Sequence, residues 1–510
     1  MFKYSISKFY NYVQKDYIID WLNLYGTSMG FKKEKKNTYF MDLGNDLEKQ
    51  VLEVLSRDKK VSDLTQFLFK NHTHKARTLK SISESPDFIY QGLVTEDCFY
   101  GIPDFIVKKK VVAEWMGKYN KALEYIFEDD EGYVIVDVKS SCKIADGMVL
   151  KTTRNYQWLQ FQMSMYCKML SAMTSKPCTH AYIISMKNNE IMMGSIELCK
   201  INMEELKKYM TDMTVEGSQW KLFPRPSVDY LYPNMKNEYD QEWRTIKEYI
   251  AKRIGEWTLL PFVSSQTRAQ LWEKGFKTFR DENILKRLND IPDKINKAII
   301  KVNQGDVICN ILNEDKVVDF MNTNIKKDDC LLFIDIETLY TAKENKMQYV
   351  PFMACIYSAK DHKREIVMSE NSPLTNDETN EVIRKVSDII EKYKRRHNEV
   401  KVVHYSGNEA NVFRKIDGVS YIDLYNVLKS SEFAITGLFS LKLKDLYKCL
   451  VRNNEETFIT NGFDAMMTGI AYYNEEDKTK KQNYKNDLDK YISRDVDILL
   501  KVYRYFERHQ

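Results

Sequence analysis

Two short apolar runs that stop abruptly at charged residues constrain this chain more than any other feature. The first is Tyr133-Val134-Ile135-Val136, followed at once by Asp137-Val138-Lys139. The second is Cys330-Leu331-Leu332-Phe333-Ile334, followed by Asp335-Ile336-Glu337. Runs this short have the length of a buried strand, far below a membrane span. Side chains alternate across a strand, so Asp137 shares a face with Lys139, and Asp335 with Glu337. Either triplet means little alone; at the end of a buried strand it sets charge at the rim of a sheet. Two carboxylates on one face repel each other unless a cation neutralises them, so Asp335 and Glu337 call for a divalent metal.

Composition narrows the class. Gly and Pro number only 18 and 10 in 510 residues, while 43% of the chain is hydrophobic and 13% aromatic. Fibrous and disordered classes are thereby excluded. Lys+Arg 77 against Asp+Glu 73 leaves a net charge of +4, which argues against a basic tail but permits local basic patches. The opening MFKYSISKFYNYVQKDY interrupts its apolar residues with Lys and Asp, unlike a signal peptide. An intracellular, cytoplasmic protein is expected, not secreted and with no membrane partner. The weight of Lys, Asn, Tyr and Ile suits an AT-rich genome, as in some bacteria and large DNA viruses. Nine scattered cysteines with no C-x-x-C read as reduced core thiols rather than metal ligands.

At about 150 residues per domain the length accommodates roughly three units. Residues 1–225 read as helices, then strands (Phe88-Ile89-Tyr90, Gly101 to Val107, Tyr133 to Val136), a helix over Asn155 to Ser171 and a strand over His180 to Ser185. Ser5-Ile6-Ser7 is placed to cap a first helix rich in aromatics, and a second runs from Gly44 to about Ser56. Prolines 224, 226 and 233 punctuate the start of a mostly helical segment, 226–327. Within it, Trp257 to Pro261 and Leu271 to Phe279 predict a helix, a turn at Gly275 and a second helix. A hairpin of that kind can offer backbone amides to a phosphate; a plain helical spacer is the alternative. The third unit, 328–510, opens with the run at Cys330. The expected class is mixed α/β.

Tyr491 and Asp495 stand at i and i+4, on one face of a helix predicted from the amphipathic run LDKYISRDVDILLKVYRYF. Between them, His404-Tyr405-Ser406-Gly407-Asn408-Glu409 follows the strand-like Val402-Val403, and Tyr421-Ile422-Asp423-Leu424 and Ser440-Leu441-Lys442 come later. In these residues 328–510 resembles the RNase H-like 3′-to-5′ exonucleases of the DEDD type, tyrosine subclass. The resemblance implies four acids holding two metal ions, Mg²⁺ or Mn²⁺, that activate a water for phosphodiester cleavage. By position it assigns Asp335 and Glu337 as the first pair, Asp495 as the last acid and Tyr491 as the phenol that orients the water. The middle motif departs from the usual Asp: Glu409 is the favoured ligand and Asp423 the alternative, the latter also placed to cap the helix after it. Lys442 is taken as a nucleic-acid contact.

Around the first run, Glu48 lies on an early helix, Asp104 on the preceding extended segment, and Gln162 and Tyr166 at i and i+4 on the following helix. This order is similar to the PD-(D/E)XK nuclease superfamily, specifically its RecB-type branch, with a restriction-endonuclease-like fold. The resemblance implies metal ligands Glu48, Asp104 and Asp137, and Lys139, Gln162 and Tyr166 as catalytic residues. Lys108, Lys110 and Arg154 are candidates to hold phosphates, and Tyr156, Trp158 and Phe161 to stack bases; core aromatics and a solvated charged face are the alternative. The iron–sulfur cysteines of some relatives are missing, so no cluster is expected.

The two units together resemble predicted RecB-family nucleases that fuse both domains. No G-x-x-x-x-G-K-[ST] occurs, so no ATP is expected and any helicase is a separate chain. The expected function is a metal-dependent DNA nuclease acting on single strands or ends in replication, repair or recombination. An RNA-processing exonuclease, and a nucleic-acid-binding scaffold with one degenerate site, are the alternatives.

Overall fold

The computed structural model describes residues 4–34, 39–68, 71–117, 132–139, 142–153, 155–187, 190–304, 311–343, 346–373, 381–406, 416–451, 459 and 461–507. The first apolar run forms the strand Tyr133–Val138, inside an eight-stranded mixed sheet. It pairs antiparallel with Phe105–Lys108 and parallel with Ala181–Lys187. Val134, Val136 and Val138 pack with Val51 and Leu55 of the helix Tyr39–Ser56 and with Val111, Val112 and Met116 of the helix Lys109–Gly117. Strand alternation sends Asp137 to the opposite face. The helix Tyr156–Thr174, burying Met163, Tyr166, Cys167 and Leu170, packs against the same strand.

The sequence predicts one helix after Ser5. The structure instead has short helical turns, Ile6–Phe9, Tyr10–Val13 and Ile18–Trp21, interrupted where Lys15 takes φ 54°. The break turns Asp16 inward to Lys247, and both are fully buried. The Lys247 ammonium donates to Asp16 Oδ2 at 3.0 Å, to the carbonyls of Asn234 at 3.0 Å and Asn237 at 2.9 Å, and pairs with Asp240. A buried cation is tolerated only when its donors are filled in this way. The clamp ties residues 234–247 to the N-terminus, so one unit is Met1–Ile254 and the other is Gly255–Lys343 with Met347–Gln510. The 226–327 segment, expected as a connector, is therefore divided between the two.

The helical hairpin expected near Gly275 is corrected. Ser265–Glu273 is a helix and Gly275 turns at φ 88°, but no second helix follows directly over 276–279. The aromatic side chains take over: Phe276 and Phe279 are buried with Trp257, Ile295 and Ile299. The indoles of Trp257 and Trp272 donate to the carbonyls of Phe276 and Lys277, each at 3.0 Å. The same core takes in Ala434, Phe439 and Leu441, which makes 255–302 part of the second unit.

The second apolar run begins the strand Cys330–Lys343, at the centre of a five-stranded sheet ordered Lys363–Met368, Lys346–Ser358, Cys330–Lys343, Val400–His404, Val419–Asp423. Cys330, Leu332 and Ile334 pack on Val382, Val386 and Ile390 of the helix Glu381–Lys394. On the other face Phe333 meets Tyr503 of the long helix Lys478–Glu507, ring centroids 5.2 Å apart. Asp335 and Glu337 share the Phe333 face by alternation. No described helix is long and apolar enough to cross a membrane, and no disulfide joins any of the eight described cysteines.

Candidate metal centre and a second carboxylate site

Parallel pairing with Val400–His404 covers only Cys330 to Phe333, so Asp335 lies just past the paired stretch. The buried stripe of Lys478–Glu507 runs Leu488, Tyr491, Ile492, Asp495, Val496, Leu499, Val502, Tyr503, Phe506, a helical spacing with a phenol and a carboxylate set into it. Packing this stripe on the strand brings one carboxylate oxygen each from Asp335, Glu337 and Asp495 within 4.8 Å of one another. It is the only such group of three among the described residues.

Asp495 is 8% exposed, and its Oδ1 is buried with no hydrogen-bond partner among the described residues. Its Oδ2 accepts from Lys444 Nζ at 2.9 Å. The same ammonium donates to the Tyr491 hydroxyl at 2.9 Å and lies 4.3 Å from the centre of its ring. Burial, and then the charges of Glu337, Asp495 and Asp335, push the Tyr491 phenol far above its ordinary range, so it stays a neutral O–H. Burial also raises the Asp495 carboxyl, against the opposing pull of Lys444. Three convergent carboxylates, one with an orphaned buried oxygen, form an all-oxygen donor set of the kind that suits Mg²⁺ or Mn²⁺.

Lys444 is the residue the sequence reading missed. It lies in Leu441-Lys442-Leu443-Lys444, where either lysine qualifies until the start of the helix Leu443–Val451 is known. Lys442, the expected contact, is exposed ahead of that helix. Glu409 lies outside the described residues. Asp423 is the N-cap of Leu424–Ser430: its Oδ1 accepts from the amides of Tyr425 at 3.0 Å, Asn426 at 3.4 Å and Ser406 at 3.1 Å, and its Oδ2 from Asn426 Nδ2 at 2.6 Å. Tyr425 and Asn426 belong to the capped helix, and Ser406 to the turn after Val400–His404.

In the N-terminal unit the antiparallel register sets Phe105 opposite Val136, which puts Asp104 beside Asp137. Asp104 Oδ2 accepts the Val138 amide at 2.7 Å. Lys139 pairs with Asp137 and donates to the Val138 carbonyl at 3.1 Å. Burial, then the Asp137 charge, push the Asp104 carboxyl well above the carboxylate range. Burial works against the Lys139 ammonium, but Asp137 and Asp104 outweigh it and hold the group protonated. Gln162 Nε2 donates to the Tyr166 hydroxyl at 3.0 Å, which donates to the Ile102 carbonyl at 3.3 Å. Burial and Asp137 raise the Tyr166 phenol. Glu48 accepts from Gln91 Nε2 at 2.5 Å and raises the Tyr90 phenol together with burial. Glu48, Asp104, Asp137, Lys139, Gln162 and Tyr166 thus share one electrostatic neighbourhood, to which the structure adds Tyr90 and Gln91.

The basic residues expected around this site lie elsewhere. Lys108 pairs with Tyr133, at the end of the strand remote from Asp104, and Lys110 follows on the helix beyond it. With Lys109 and Lys176 they line a cleft of about 970 Å³ at that far end. The reason is the antiparallel register, which carries residues after Asp104 away from Asp137. Arg154 lies outside the described residues.

No family model and no curated protein matches the chain. A solved structure titled "Crystal structure of SSO0001" aligns with 34% of this chain and 85% of its own at 10% identity, with a TM-score of 0.15.

Proposed function

We propose that the chain is a metal-dependent nuclease that hydrolyses DNA phosphodiester bonds. Its 3′-to-5′ exonuclease chemistry runs at Asp335, Glu337, Asp495 and Tyr491, in an RNase H-like unit. A second, PD-(D/E)XK-like nuclease site uses Asp104, Asp137 and Lys139, with Glu48, Gln162 and Tyr166 around them. One observation carries this reading: carboxylates from distant parts of the chain converge within 4.8 Å with a neutral phenol alongside. A bound divalent cation supplies Lewis-acid stabilisation of the charge that develops on phosphate. Asp335, Glu337 and Asp495 are the residues to hold it, and the Tyr491 hydroxyl is placed to orient an attacking water. In the other site Lys139 is a fixed cation facing the same chemistry.

The test is degradation of end-labelled single-stranded DNA and RNA with Mg²⁺, with Mn²⁺ and with EDTA. Metal-dependent shortening of DNA from the 3′ end is expected, and no cleavage of either polymer would sink the proposal. Degradation of RNA alone would replace it with an RNA-processing exonuclease.

A further inference from the structure

We infer that Cys167 and Cys178 form an oxidation site, a dithiol that closes to a disulfide when Cys178 attacks a low-molecular-weight disulfide. The inference stands apart from the nuclease reading. Both residues are buried, Cys167 on the helix Tyr156–Thr174 and Cys178 in the irregular stretch between that helix and the strand Ala181–Lys187. Their sulfurs meet at one point. The Sγ of Cys167 lies 3.4 Å and that of Cys178 3.6 Å from the His180 carbonyl oxygen, and the Cys167 thiol hydrogen-bonds the Cys178 sulfur. The two main chains are also held together without the sulfurs. Ser171 Oγ donates to the Cys167 carbonyl and accepts the Cys178 amide, each at 2.8 Å. A disulfide needs both conditions, close sulfurs and close backbones.

Of the two thiols, Cys178 is the one placed to react first. The hydrogen bond from Cys167 pulls its thiol below the ordinary range, against burial. The same bond, and then burial, raise the Cys167 thiol. The thiolate is the attacking form. Access favours Cys178 too: it lies in no helix or strand, and Lys176 and Pro177 directly before it line the cleft of about 970 Å³. Cys178, its proton released, attacks one sulfur of the small disulfide and expels the other as a thiolate, which takes up that proton. Cys167 then gives up its own proton, bonds to Cys178 Sγ and expels the second small thiol. Two electrons pass to the oxidant, and one small disulfide becomes two small thiols as one protein disulfide forms. The new bond joins the helix that carries Gln162 and Tyr166 to the segment leading into Ala181–Lys187, a strand paired with Tyr133–Val138.

The experiment maps the bond. Folded full-length chain, reduced and then freed of reductant, is incubated with oxidised glutathione, trapped with N-ethylmaleimide and digested with trypsin. Cleavage after Arg154, Lys168 and Lys187 places Cys167 in peptide 155–168 and Cys178 in peptide 169–187. A linked pair of these two peptides is expected, and it should be lost on adding dithiothreitol. In Cys167→Ala, which removes the resolving thiol, glutathione should stay on Cys178, while in Cys178→Ala the Cys167 thiol should stay unmodified. Melting curves under reductant confirm that each variant folds, and the unmutated chain decides the bond itself whether or not they do. Recovery of both residues as trapped thiols, or either one joined to another cysteine, overturns the inference. Glutathione held on Cys167 in folded Cys178→Ala, with none on Cys178 in folded Cys167→Ala, overturns it as well.

Discussion

The two carboxylate sites meet the same electrostatic demand with cations of different origin. In the N-terminal unit Lys139 stands two residues from Asp137, just past the end of the strand Tyr133–Val138, and extended backbone puts the pair on one face. In the C-terminal unit Lys444 comes from one helix, Asp495 from another and the remaining acids from a strand. The acids differ too. Asp104 gives an oxygen to the Val138 amide, whereas Asp495 keeps Oδ1 without a partner among the described residues. An acid–ammonium pair written into one stretch of chain is legible in sequence, and the acid beside it is partly satisfied by backbone. A site assembled by packing keeps its ligand atoms open and hides its counter-charge.

The sharpest way to break this comparison is to remove one site at a time. Asp335→Ala should lower 3′-end trimming by about 10³-fold, the scale on which a positioned charge-stabilising group acts. It should spare the cleavage that Lys139→Ala removes. If either variant stays folded and yet loses all cleavage on every substrate, the sites are not independent. A step smaller, Tyr491→Phe keeps the ring against Lys444 and removes only the hydroxyl. Stability should hold while trimming falls by roughly 100-fold; unchanged single-turnover rates would return Tyr491 to the core.

Asp104 sharpens the comparison through pH. Its folded carboxyl is raised by burial and by Asp137, so the unfolded chain loses this proton first as pH climbs from about 4. Folding stability therefore declines with rising pH until the folded carboxyl also ionises. Asp104→Asn should flatten that part of a Tm-against-pH profile recorded in EDTA, and parallel wild-type and variant profiles would contradict the assignment. Mg²⁺ at 100 times its Kd should add about 2.7 kcal/mol to the wild type at neutral pH. The smallest effect belongs to Asp423. Asp423→Asn, itself a competent cap, should change little, and Asp423→Ala should cost about 1 kcal/mol in urea unfolding with cleavage retained. Loss of metal-dependent cleavage in the Asn variant would make Asp423 a ligand after all.

Everything the sequence by itself determined about this protein follows from local periodicity. Alternation along extended backbone put Asp137 with Lys139 and Asp335 with Glu337, and helical spacing put Tyr491 with Asp495 and Gln162 with Tyr166. Those relations hold wherever the elements end up, because they belong to backbone geometry. Tertiary structure decided the rest. The helix start selected Lys444 over Lys442, and strand register carried Lys108 and Lys110 to the far end of the sheet. Two helix amides, those of Tyr425 and Asn426, made Asp423 a cap. The buried Lys247 clamp gave residues 234–247 to the N-terminal unit, and aromatic packing at Phe276 and Phe279 cancelled a predicted helix. Each of these depends on which distant surface a residue meets, a quantity fixed by close packing between elements and absent from any single window of sequence.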